Sequence, residues 1–189
     1  MHTVELTCDP TLEAAVRGLW QRLSEGGVPS LAHNTHPSHR PHLTMASFGT
    51  MPAGAPALLN ELLAAALPLP VRLTGLVSYS ARSRRRVLSW AVVPTVELMV
   101  LHREVWRILS GAGEPNPFYL PGRWSPHVGL TRRVEPAELA TAHEIVGRLP
   151  DVSGLFDAAR SYDSESRTLL TLGVPEFDGV GLRVAERGE

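Results

Sequence analysis

Two segments, PHLTMASF at 41–48 and PHVGLTRR at 126–133, each open with proline, histidine and an aliphatic residue. Histidine titrates near neutral pH, so two imidazoles facing one another can divide acid–base work. One takes a proton while the other gives one. On a strand, alternate side chains point to opposite faces. Leu43, Met45, Val128 and Leu130 then form core faces, while His42, Thr44, His127, Gly129 and Thr131 point the other way. Hydroxyls two residues along each strand, with arginines nearby, suit a phosphate held between the rings. That arrangement needs no metal or other cofactor.

His42 also ends a tract in which His33, His36, His39 and His42 are spaced three apart. Histidine-rich tracts can bind metals. Here no cysteine lies nearby, and Pro37 and Pro41 break any helical face. The reading adopted is that His42 works and the other three belong to a loop.

The rest of the composition excludes more than it adds. All 18 basic residues are arginine. Without lysine there is no lysyl-adenylate, no Schiff base and no Walker-type phosphate loop. G-x-S-x-G, C-x-x-C and G-x-G-x-x-G are likewise missing from the sequence. A net charge of −1 argues against a general nucleic-acid coat, although a local anion site is compatible. Cys8 is the only cysteine, read as a buried structural thiol. No secretory signal or membrane-spanning run is visible, so a cytoplasmic monomer is expected.

The elements that must position the histidines repeat. Val4–Cys8 alternates as a strand, and Asp9-Pro10 starts a helix carrying Leu12, Val16, Leu19 and Leu23. After a polar loop come a strand at His42–Phe48, a helix over Ala55–Leu67 and a strand at Val71–Tyr79. The order then restarts with a strand at Arg86–Val93 and a helix from Thr95 through Ile108. A proline-rich loop leads to a strand at His127–Val134 and a helix from Pro136 through Leu149. Strands at Leu155–Tyr162 and Thr168–Val174 close the chain. One bilobal domain is expected over residues 1–189, with repeats at about 1–80 and 85–175. In both halves a long loop precedes the histidine, and long structureless loops tend to be functional. Four arginines at 82 and 84–86 are read as a solvated turn, or alternatively as a basic edge that guides a phosphorylated substrate.

The paired H-x-T strands resemble those of the 2H phosphoesterase superfamily, which includes 2′-5′ RNA ligase and cyclic phosphodiesterase proteins. HLT at 42–44 matches fully. HVG at 127–129 departs, because the family has threonine or serine where Gly129 stands. The resemblance implies an α+β fold of two pseudo-symmetric lobes, antiparallel sheet plus helices, around a central cleft. It implies catalysis by His42 and His127 and substrate binding by Thr44 and the residues at 129, 131 and 132. Arg132 lies five residues after the second histidine, as is common in the family; strict alternation would instead turn Arg133 toward the cleft. Thr131 is expected to supply the hydroxyl that Gly129 lacks. The implied substrate is a nucleotide or RNA with a 2′,3′-cyclic phosphate end, hydrolysed to a 2′-phosphate or joined to a 5′-hydroxyl. The alternatives are a nucleotide- or RNA-binding module that has lost turnover through Gly129, and a metal-binding protein using the histidine tract.

Overall fold

Local signals place the helices. Asp9 caps α1 (Pro10–Glu25), its carboxylate accepting from the Leu12 amide at 2.8 Å. Thr95 does the same for α3 (Val96–Ile108) through Leu98. α2 spans Ala55–Ala66, and α4, entered through a capping box of Glu135 and Glu138, spans Pro136–Val146. α4 ends before the expected Leu149 because Gly147, at φ 56, turns the backbone into a conformation suited to glycine. The structure, a computed structural model, describes residues 1–147 and 149–185, with Arg82 described by its backbone alone. Among these residues no helix is long and apolar enough to cross a membrane.

The strands are β1 (His2–Cys8), β2 (His42–Phe48), β3 (Leu69–Ser80), β4 (Arg86–Val92), β5 (His127–Gly129), β6 (Val152–Asp163), β7 (Thr168–Leu172) and β8 (Leu182–Arg183). All pair antiparallel in one sheet, ordered β1-β2-β5-β4-β3-β6-β7-β8. The fold is α+β, with four α-helices on an antiparallel sheet. β1 also pairs with β6, closing six strands into a ring. The length of β6 makes this possible. Its first residues pair with β3 and its last with β7, while its other edge runs along β1. A strand late in the chain thus lies between two early ones, and the halves interleave.

The predicted core faces are buried. Leu43, Met45, Val128 and Leu130 are inaccessible, as are Leu12, Val16 and Leu23 of α1. At about 25 cal/mol per Å² of apolar surface removed from water, these chains stabilise the sheet on which the histidines stand. Cys8 is also inaccessible, and burial pushes its thiol up to about 12, as befits an inert packing residue.

β5 is shorter than the expected 127–134 segment. The Leu130 and Thr131 amides both donate to the Leu88 carbonyl, at 3.0 and 3.2 Å. Two residues therefore oppose one, which is a β-bulge. Alternation stops there, and beyond it the chain pairs through isolated bridges, Ser30 to Thr131 and Arg86 to Val134.

Candidate active site

The register of β2 against β5 decides where the histidines lie. Leu43 sits opposite Val128. Antiparallel pairing then sets His42 opposite Gly129 and Thr44 opposite His127. Each histidine is one residue before the central pair, so a local two-fold axis through Leu43 and Val128 relates them. On one face they are diagonal neighbours, about 7–8 Å apart at Cα. The charge of His42 is felt at His127, as expected for rings sharing one space.

Both rings are held the same way. The Nδ1–H of His42 donates to the Arg40 carbonyl at 2.8 Å, and that of His127 to the Ser125 carbonyl at 2.7 Å. In each case the acceptor lies two residues back, across Pro41 or Pro126. A carbonyl only accepts, so Nδ1 carries the proton and Nε2 is left for chemistry. Proline explains its own place in both motifs: it favours the extended backbone that turns the preceding carbonyl onto the ring.

The surroundings of the two rings differ. Glu5, 6 % exposed, sets its Oε1 3.7 Å from Nε2 of His42. Its other oxygen accepts from Arg160 Nε at 2.7 Å, and Thr3 donates to Oε1 at 2.8 Å. Among the described residues no carboxylate is paired with His127; Tyr79 lies over it, with ring centroids 4.7 Å apart. Burial lowers its imidazole below the ordinary histidine value, with the charge of His42 acting in the same direction and the Ser125 carbonyl opposing.

The segment from 9 to 166 matches the family described as the 2'-5' RNA ligase superfamily. The chain belongs to that superfamily. Its fold is that of Kluyveromyces marxianus Usb1. The structure of that protein with uridine monophosphate aligns at a TM-score of 0.52 with 11 % identity, covering 92 % of this chain and 97 % of that one. A second Usb1 structure from the same yeast aligns at 0.51 and 12 %, with the same coverage. No curated protein matches the sequence.

Within this 2'-5' RNA ligase superfamily chain, His42, Thr44, His127 and Gly129 are neighbours in the sheet, and the other two expected site residues are elsewhere. The bulge turns Thr131 inward to 3 % exposure, where its hydroxyl oxygen accepts from the Leu88 amide at 2.9 Å. Thr131 is therefore bound to the backbone and does not replace the missing hydroxyl. Arg132 donates to the His33 carbonyl at 3.4 Å, which ties it to the turn at 31–33. Leu31 of that turn fills the space at Gly129: a Cβ built there would stand 3.0 Å from Leu31 Cδ1. Burial and the charge of Glu5 raise the phenol of Tyr119, with the Thr44 hydroxyl opposing.

Behind the motifs stand two stacked plates that the sequence did not reveal. Trp20 stacks on His39 at 4.8 Å and donates its indole N–H to the Gly129 carbonyl. Trp124 stacks on His102 at 3.9 Å and donates to the Thr44 carbonyl. His39 and His102 bind the Leu31 and Tyr119 carbonyls in turn. His39 lies three residues before His42 and Trp124 three before His127, so indole and imidazole have changed places between the halves. No single residue type recurs at either position, which hides the equivalence from a motif search. His39 is thus a packing residue, while His33 meets Ser24, and His36 meets Ser38 and Tyr162. Among the described residues no cluster of three or more His, Cys, Asp or Glu side chains is placed to hold a metal ion.

Burial lowers His39 and His102 to about 4. A histidine neutral in the fold but free to protonate when unfolded makes stability rise with pH. Its contribution is full above about 6.5 and is lost as pH falls from there toward 4. Urea midpoints should fall across that window, and His102→Phe should flatten the fall. An unchanged slope in that variant would show that His102 does not titrate in this range.

Proposed function

We propose that this protein is a phosphoesterase for 2′,3′-cyclic phosphates of nucleosides or RNA ends, working without a metal through His42 and His127. The observation that carries the reading is the two-fold pair of imidazoles on one face of the sheet, both with Nδ1–H held by a carbonyl so that Nε2 is left for chemistry. The uridine monophosphate in the Usb1 structure supports a nucleotide ligand for this fold. The Glu5 carboxylate stands beside Nε2 of His42, and burial favours the neutral ring at His127. His127 Nε2 therefore takes a proton from water as the water oxygen attacks phosphorus. The bond from phosphorus to the ribose 3′ oxygen breaks, and that oxygen takes the proton of His42 Nε2. The product is a 2′-phosphate, and proton exchange with solvent resets the rings. Thr44 binds a phosphate oxygen.

Incubation with 2′,3′-cyclic nucleotides should release 2′-nucleotides at a rate that a chelator leaves unchanged. Activity abolished by chelator and restored by zinc would revive the metal reading. Nucleotide binding with no turnover of any cyclic phosphate would make the protein a binding module instead.

A further inference from the structure

Gly129 leaves one side of the phosphate space without a hydroxyl, and Thr131 is committed to Leu88. The next hydroxyl in that row belongs to β4. Ser89 pairs with Gly129, and Ala91 with His127, so Ser89 points to the face that carries both histidines. It is fully buried, and its Oγ has no hydrogen-bond partner among the described residues. Buried hydroxyls are nearly always paired, because an unpaired one forfeits its hydration. An unpaired hydroxyl beside the catalytic pair therefore calls for a reason.

The neighbours of Ser89 supply it. Across the sheet the row runs Ser89, Gly129, His42, and the adjoining row runs Ala91, His127, Thr44. With no side chain at 129, nothing from β5 stands between Ser89 and the space beside His42. The tip of Leu31 fills that gap instead. Leu31 sits in the turn at 31–33, and the atom that meets position 129 is its Cδ1, the far end of a side chain.

We propose that Ser89 is the second phosphate-binding hydroxyl of this site, standing in for the threonine or serine that position 129 lacks. The ligand is a cyclic phosphate diester or a phosphate monoester of a nucleotide, and Leu31 swings aside to admit it. The phosphate oxygen accepts the Ser89 O–H on one flank while Thr44 donates on the other. The inference rests on the phosphoesterase reading and names a binding group for it.

Calorimetric titration with uridine 2′-monophosphate and thermal unfolding test it together. Ser89→Ala should bind the nucleotide about tenfold more weakly, the loss of one hydrogen bond to a charged group. The same variant should melt higher by about 2–4 °C, because an unpaired buried hydroxyl has been removed. Gly129→Ser in the Ser89→Ala background should regain affinity by returning a hydroxyl from the adjacent strand. Unchanged affinity with a higher melting temperature would make Ser89 a packing defect and overturn the inference. Wild-type protein that binds no uridine 2′-monophosphate would overturn it together with the proposed function. Wild-type protein that binds the nucleotide but hydrolyses no cyclic phosphate would sink the function alone, and the Ser89 comparison would still be read by binding.

Discussion

Alanine at either His42 or His127 is expected to lower kcat on a 2′,3′-cyclic nucleotide by about 10²–10⁴, the range for a general acid or base. Both rings stand on one face of the sheet with Nδ1 held by a carbonyl, which leaves Nε2 of each for proton transfer. His39, three residues upstream, has its Nε2 on the Leu31 carbonyl. The two losses should not add. Once one proton transfer is gone, the remaining histidine works without its partner, as in other catalytic groups that act as a unit. Both rings lie on the face opposite the core, partly exposed, while Leu43 and Val128 beside them are buried in it. Unfolding midpoints of the variants should therefore stay near wild type. Full activity in either folded variant would contradict the assignment. In the wild type, kcat/KM should follow a bell in pH, its acid limb set by the group that must be neutral and its alkaline limb by the group that must be protonated.

What could be read from the sequence was what repeats in residue type. PHLT and PHVG fixed the strand starts, the inward aliphatics and the outward histidines, because period-two alternation needs only local information. Helix starts were legible for the same reason, through Asp9 and Thr95. Three features were not. The bulge at Leu130 and Thr131 depends on which carbonyl their amides find, and that carbonyl belongs to Leu88, about forty residues away in the chain. The interleaving of β6 between β1 and β3 depends on pairing between the chain's two ends. The indole–imidazole plates exchange their residue types between the halves, so spacing alone does not reveal them. Glu5 belongs with these. In the sequence it is one polar residue in an alternating strand, and only the register beside Thr44 and Arg160 makes it part of the site.

Glu5 accordingly carries the other large expected effect. Glu5→Ala should destabilise the fold by about 3–5 kcal/mol, the usual cost of breaking a buried ion pair. Arg160, with a side chain 11 % exposed, would be left without its carboxylate. Burial pushes the Glu5 carboxyl up, but the charges of His42 and Arg160 and the hydrogen bonds from Thr3 and Arg160 outweigh it and hold it below 4.5. The stability it contributes is therefore full above that value and is lost as pH falls through the lower value of the folded state. Glu5→Gln keeps the shape and one acceptor for Arg160 while removing the charge facing His42. It should move the alkaline limb of the kcat/KM profile to lower pH, because it removes a negative charge 3.7 Å from Nε2 of His42. Replacing the other partner reverses the sign. Arg160→Gln leaves Glu5 unshielded beside His42 and should move the same limb to higher pH. A purely structural Glu5 would change unfolding midpoints in both variants and leave the limb in place. That outcome would return the acid and base roles of His42 and His127 to equality.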